Sequence, residues 1–384
     1  MIWKLQRAYF EEVGIDAWRS GELPHYITSN PVMAQTYAEL VLALLQDLSL
    51  RGQTEETVYI LELGAGHGRL CYHFFKHFER FYLQHALPLP PICYIISDVA
   101  ESNLDFCQRH PRLQPYIQKR WLDFSCVDAE TSEEIYLRQA RTTIKEATLA
   151  QPLVVIANYF FDSIPQKLLY FEEEQIHQVF LSLQSTVPPD KLTPAEQLQH
   201  LKLDYTYEQI VETYDETSPS IHHLIASYRG KFQQTHMLFP HVGILCLARL
   251  HKLSKQGWVV LTADKGQHQL ALLDSCSAPE LTLHGSFSLG VNYHAFITYM
   301  QHMGGLAYFP TTPHAFLDIG CMLSAPEYTN GVMLQHTFER FVQQYSPDDF
   351  FLLKKLVEKH IHSLDLAEIM AICRLSKYDA RLFL

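Results

Sequence analysis

VYILELGAGHGRL, residues Val58 to Leu70, carries an unbroken apolar run into an acid and then three glycines at alternate positions. Val58, Tyr59, Ile60 and Leu61 have the pattern of a strand covered on both faces, which is how strands of a parallel sheet read. Glu62 stands where that strand should end. Gly64, Gly66 and Gly68 let the backbone turn sharply and approach a ligand with no Cβ in the way. Leu70, Phe74, Phe78 and Phe81 then recur at helical spacing, so the chain enters a helix that packs on the sheet and whose first N–H groups favour an anion. Strand, glycine turn and helix in that order predict an α/β fold with a ligand seated at the turn.

Spacing separates two cofactor classes. A dinucleotide turn reads G-x-G-x-x-G or A, and the third position counted from Gly64 and Gly66 is Arg69. The E-x-G-x-G-x-G pattern resembles instead the first motif of the class I S-adenosylmethionine-dependent methyltransferases. That resemblance implies a Rossmann-like sheet with helices on both faces, and it implies that Glu62, Gly64, Ala65, Gly66 and Gly68 lie against S-adenosyl-L-methionine. A second strand, Ile92 to Ile96, leads into Asp98 and Val99. A carboxylate offers two oxygens to a ribose diol, and ligands of open α/β sheets sit at the carboxyl ends of strands. The other reading of Asp98 is a cap for the helix opening near Glu101. In the resembling family an acid after the next strand often accepts the adenine amino group while an apolar neighbour covers the ring. Asp123 and Phe124 of YIQKRWLDF would hold those places.

LVVIANYFFDSIPQ is a third buried run, with Asn158, Tyr159, Asp162 and Pro165 crowded at its end, and WVVLTADKG places Asp264 after a fourth. Four apolar runs ending in Glu62, Asp98, Asn158 and Asp264 predict one sheet edge that carries a site. ELGAGHGRL, ANYFFDSIP and the early YITSNP together resemble the MidA family, over roughly residues 20 to 180. Its eukaryotic relatives include the mitochondrial complex I assembly factor that methylates a protein arginine. The family's second motif usually reads N-E-x-x-D-A-x-P, and Tyr159 stands here where its acid is expected. If that carboxylate orients a guanidinium in relatives, arginine does not follow as the acceptor of this chain. A sulfonium methyl is already activated, so transfer needs an aligned nucleophile and an acceptor for any proton it sheds. Asn158, Tyr159 and Asp162 are the candidates for those catalytic roles, with Asn158 also beside the cofactor. Tyr159 either orients the acceptor or is a packed aromatic.

The 384 residues, 47% of them hydrophobic, can bury a large core, and the net charge is −12. An acidic chain without a basic run is a poor match for phosphate-driven nucleic-acid binding, so a protein or small-molecule methyl acceptor is the expected partner. Eight cysteines without a C-x-x-C pair read as reduced thiols, MIWKLQRAYFEEV lacks the apolar core of a signal peptide, and no run approaches a membrane span. The expectation is a cytoplasmic protein. Residues 1–50 read as a helical prelude, capped at Asn30 and Pro31, whose Thr28 and Ser29 either touch the cofactor or simply start a helix. Residues 51–165 and 237–324 form the methyltransferase core. The stretch from Ser125 to Ala150 has helix-favouring character.

Residues 166–236 read as an inserted lid, opening on a hairpin in LLYFEEEQIHQVFLSL and turning into a helix at Thr193 to Glu196. Its Tyr205, Tyr207, Glu208, Glu212, Tyr214 and Asp215 either receive a cationic substrate or form a solvated acidic surface. Residues 325–384 read as a C-terminal helical extension.

Other chemistries fit less well. His73 and His77 have the spacing of a ligand pair, but Phe74 stands where a metalloprotease glutamate would be, and no metal is expected. GSFSLG places Phe287 where a nucleophile elbow needs serine. Asn158 followed by aromatics loosely resembles the N-P-P-Y motif of nucleic-acid N-methylation, without its prolines. The alternative from another class is a MidA-like assembly or scaffold protein in which catalysis is weak or lost.

Overall fold

Each of the apolar runs becomes a strand. The computed structural model describes residues 2–19, 25–185, 192–193, 196–197, 201–209, 219–279, 282–284, 286–312, 314–324 and 331–382. In chain order the strands that matter here are β1 (Val58–Leu63), β2 (Ile92–Asp98), β3 (Leu122–Cys126), β4 (Leu153–Asn158), β5 (Lys167–Glu172), β6 (Gln175–Ser185), β7 (Leu201–Gln209), β8 (Gln234–Phe239), β9 (Trp258–Asp264), β10 (Leu306–Tyr308) and β11 (Asp318–Leu323). The central sheet has the order β10-β11-β9-β4-β1-β2-β3. Its strands β3, β2, β1, β4 and β9 are parallel, while β11 runs antiparallel to both β9 and β10.

The helices that matter here are α1 (Ile2–Val13), α2 (Pro31–Leu50), α3 (Arg69–Leu83), α4 (Glu101–Arg109), α5 (His241–Leu253), α6 (Tyr293–His302), α7 (Val332–Phe338), α8 (Pro347–His360) and α9 (Leu366–Leu375). Successive strand side chains point to opposite faces, so an uninterrupted apolar run serves two cores. Ile60, Tyr94, Val154 and Leu261 pack with α2 and α3 on one face. Leu61, Ile95, Val155 and Val260 pack with α5 and α6 on the other. The chain leaves β1 toward β2 on one side while β4 lies on its other side. That divergence opens a crevice at the carboxyl ends of β1 and β4, the usual ligand position in such a sheet.

Local chemistry sets the key helix starts. Asn30 Oδ1 accepts from the N–H groups of Val32 and Met33 at 2.9 Å each, with Pro31 at the first helical position of α2. Gly68 precedes α3 with φ +66°, and a Cβ there would lie 2.9 Å from Cys107 Sγ, so only glycine suits this turn. On α3 the inward face is Leu70, Phe74, Phe75 and Phe78. Phe81 is 44% exposed, and Phe75, stacked on Tyr116 at 4.3 Å, takes the core place expected of it. Residues 125–150 form no helix but a short hairpin, Ile135–Leu137 against Thr142–Ile144. Ile135 and Leu137 are buried and Tyr136 is exposed, the alternation of a half-covered strand.

The strands expected in the insertion form an antiparallel sheet of order β8-β5-β6-β7, and β8 runs through the boundary expected at residue 236 because it pairs along its whole length with β5. Leu169, Phe171, Ile176 and Val179 bury it against the α5 side of the core. Tyr207 donates toward or accepts from His236 Nε2 at 2.9 Å, and the Tyr205 hydroxyl donates to the Pro279 carbonyl at 2.7 Å. Thr193 and Glu196 exchange the hydrogen bonds of a capping box. Glu212, Tyr214 and Asp215 lie outside the described residues. No described helix is long and apolar enough to cross a membrane.

The C-terminal helices are tied back by buried carboxylates. Asp47 accepts from the N–H groups of Met333 and Leu334 at the start of α7. Ser346 and Asp349 form the capping box of α8, and Asp348 beside them accepts from the N–H groups of Ala315, Phe316 and Leu317 at 2.8, 3.0 and 2.8 Å. Hydrogen bonds to a buried charge contribute about 1.5–3 kcal/mol each when lost, so Asp348→Ala is expected to cost on the order of 3 kcal/mol in urea unfolding. A loss below about 0.5 kcal/mol would mean that water replaces the carboxylate without penalty.

Candidate active site

A cavity of about 690 Å³ fills the crevice. The β1–α3 turn supplies Glu62, Gly64, Ala65 and His67, and the end of β2 supplies Asp98 and Val99. The residues after β3 supply Val127 to Glu130, and the loop after β4 supplies Asn158 to Phe160 and Asp162 to Pro165. Thr28 and Ser29 line it as well, and Trp3, Gln6, Arg7 and Phe10 of α1 roof it. Arg7 reaches down to Asp128 Oδ2 at 2.7 Å, and Gln6 Nε2 donates to the Phe287 carbonyl at 2.7 Å.

Asp98 holds the glycine turn together. Its Oδ2 accepts from Gly66 N–H and its Oδ1 from Ala100 N–H, each at 2.9 Å. Ala100, not Asp98, occupies the cap position of α4, which has no side-chain cap. Asp98 is buried, and no described cation pairs with it. Burial raises its pKa while the backbone N–H groups oppose the rise. The other end of the turn is pinned as Ala65 N–H donates to the Ser97 carbonyl at 2.9 Å and Ser97 Oγ donates to the Glu62 carbonyl at 2.7 Å.

The loop after β4 is built on ties to the prelude. Asn158 Oδ1 accepts from the Tyr37 hydroxyl at 2.6 Å and its Nδ2 donates to the Thr28 carbonyl at 3.0 Å. Tyr159 has φ +48°, a left-handed conformation costly for a residue with a Cβ, and its N–H donates to the Ala263 carbonyl at 3.1 Å. Asp162 is 4% exposed and faces the cavity beside the buried Asp264. Burial and the neighbouring carboxylate push the Asp162 pKa up, and burial pushes up that of Asp264.

Several expected positions fall elsewhere. Asp123 sits within β3, opposite Ile95, with Oδ1 accepting from the N–H groups of Phe124 and Gln139 and Oδ2 from that of Ala140. It organises a loop and does not line the cavity. Phe124 is fully buried in the α3-side core. The strand end that faces the cavity belongs to Val127 and Asp128, because Cys126 is the residue opposite Asp98. The rule that singles out Asp98, a polar residue just past an apolar run, points to Asp128 once the run is read through to Val127. Gly66 and Gly68 shape the turn without lining the cavity, and Asp264 turns to the Tyr293 hydroxyl at 2.9 Å and to the amides of residues 159–161. Tyr205, Tyr207 and Glu208 of the insertion line no part of it. Lys265 and the α1 side chains are cavity residues that no sequence motif marks.

Glu62 accepts from the Tyr94 hydroxyl at 2.8 Å, and burial pushes its carboxyl up to about 8 from an ordinary 4.5. The folded state therefore keeps a proton that the unfolded chain releases near 4.5. The stability linked to that proton is complete below the lower value and is lost as pH rises through the higher one. Unfolding free energy should fall between pH 5 and pH 9, by an amount on the order of a few kcal/mol, and Glu62→Gln should flatten the fall. Parallel profiles for the two proteins would remove Glu62 from this role.

A family model described as "Putative S-adenosyl-L-methionine-dependent methyltransferase" matches residues 38–304. No curated protein matches. Among solved structures, an uncharacterized ACR superfamily protein from Burkholderia thailandensis is 12% identical and aligns over 100% of this chain and 89% of its own, with a TM-score of 0.50. A member of the same superfamily from that organism, bound to S-adenosyl-homocysteine, is 12% identical over 92% of this chain and 73% of its own, with a TM-score of 0.47. At such identity the first likeness speaks for the fold, and the family match speaks for more. With motifs that resemble MidA, a class I sheet and a match over most of its length, the chain belongs to this family of S-adenosyl-L-methionine-dependent methyltransferases.

Proposed function

We propose that the chain methylates a protein side chain or a small molecule, presented beside Tyr159 at the carboxyl end of β4. The observation that carries this reading is Asp98: a buried carboxylate with no described cation partner, aimed at a cavity of about 690 Å³ beside a glycine turn. The residues present suit S-adenosyl-L-methionine. Asp98 presents two carboxylate oxygens to a ribose diol, each accepting from one backbone N–H at 2.9 Å, with the Val99 N–H and the Asn103 side chain also favouring its charged form. Glu62 and the turn at Gly64 and Ala65 suit the charged amino-acid end, and Val99, Val127 and Asp128 suit the base. Bound there, the cofactor would supply an activated methyl group.

The chain's own work is positioning and proton management. Asp162 and Asp264 are two buried carboxylates in mutual repulsion, and such a pair holds a proton more readily than either alone. Asp162 then holds a proton at the wall of the first cavity, which α1 roofs. A maintained cavity and an uncommitted acid support catalysis over a purely scaffolding role, in which neither is required.

Calorimetry should detect S-adenosylhomocysteine binding to the full chain, and Asp98→Asn should weaken it by about 1.5–3 kcal/mol, the range for a charge-assisted hydrogen bond. Unchanged affinity would take Asp98 out of the ribose role. Asp162→Asn should leave that affinity within about twofold. Loss of cofactor binding in this second variant would make Asp162 a structural residue.

A further inference from the structure

A second cavity, of about 610 Å³, adjoins the first, and the two share His25, Tyr159 and Lys265 as a common wall. One side of it is aromatic, built by Tyr26, Phe316 and Phe351. Against it lies a histidine that no motif marks. His268 Nδ1 is 2.8 and 2.7 Å from the two oxygens of Asp318, both side chains are largely buried, and Phe309 stacks on the imidazole at 5.2 Å. Asp318 stands opposite Asp264 in the β9–β11 register, so the pair sits on the same sheet edge as the cofactor cavity. A carboxylate on Nδ1 places the ring hydrogen there and leaves Nε2 as the acceptor atom, the arrangement of an oriented general base.

The charge of this cavity discriminates among acceptors. Lys265, His25, His268 and His314 line it, and its one described carboxylate, Asp318, is committed to His268. At the rim Lys354 and Lys355 of α8 lie over the rings of Tyr26 and Phe316, at 4.8 and 3.9 Å from their centroids. His314 Nδ1 is buried with no hydrogen-bond partner among the described residues. A guanidinium or ammonium acceptor would meet Lys265 and the rim lysines, with the lining carboxylate already held by His268, whereas a flat ring with an acidic hydroxyl meets aromatic walls, a base and positive charge.

Resting on the methyl-transfer reading above, we propose that this cavity is the acceptor site, that it takes a small aromatic hydroxyl compound, and that His268, oriented by Asp318, is the catalytic residue that receives the hydroxyl proton. As the O–H proton passes to His268 Nε2, the oxygen's electron pair forms the new O–C bond and the S–C bond breaks with its pair left on sulfur. The products are an aryl methyl ether, S-adenosylhomocysteine and an imidazolium paired with Asp318. Tyr159, which borders both cavities, aligns the ring with the methyl group.

The probe is 4-nitrophenol, titrated into the full chain saturated with S-adenosylhomocysteine at a pH where the free probe is mostly protonated. Binding should raise the yellow phenolate absorbance as His268 takes the proton. His268→Gln should abolish the colour and weaken binding by about tenfold or more, and Asp318→Asn should reduce the colour by losing the ring's orientation. S-adenosylhomocysteine affinity should hold in both variants. If S-adenosylhomocysteine binds but the probe does not, or binds with equal colour to His268→Gln, the acceptor assignment is overturned while the methyl-transfer reading stands. If S-adenosylhomocysteine itself fails to bind, both fall.

Discussion

The two backbone hydrogen bonds received by Asp98 are the constraint on which the site depends. A glycine turn with three positive-φ residues is entropically expensive and has no side chains of its own to hold it. Gly66 N–H and Ala100 N–H meet on one carboxylate, so the end of β1 and the start of α4 are fixed relative to each other. The residue that suits a ligand diol is thereby also the one that gives the turn its shape. Buried charge of this kind is tolerated because backbone dipoles solvate it in place of water.

A second set of ties joins the prelude to the far wall. Asn158 bridges the Tyr37 hydroxyl of α2 and the Thr28 carbonyl, so the turn before α2 and the loop after β4 move as one body. Tyr159 is held in its strained backbone conformation just beyond this bridge, where it borders the two cavities. The position at which the family resemblance leads one to expect an acid thus carries a strained ring that borders both cavities. Asp348 performs a similar service on the other side, since it anchors the 315–317 segment that walls the second cavity.

The site keeps its acids in unlike states. Glu62 is raised toward neutrality by burial, Asp162 is raised as well by burial and by the neighbouring Asp264, and Asp318 is committed to His268. Separation of environments lets one sheet edge hold buried carboxylates that differ in their hydrogen-bond partners and in their hold on a proton.

The strands and the cofactor turn were legible because their signals are local. An apolar run marks burial on both faces, three alternating glycines mark a turn, and an acid just past a run marks the sheet edge, so β1, β2, β4, β9, Glu62 and Asp98 could be read along the chain. Asp123 and Phe124 were misplaced because a strand end is set by pairing register, and Cys126 lies opposite Asp98 only through the β2–β3 ladder. The roof of α1, the His268–Asp318 pair fifty residues apart and the place of Tyr159 on both cavities had no signal in sequence spacing. Contacts between distant segments depend on how layers pack, and packing is decided by the whole core at once.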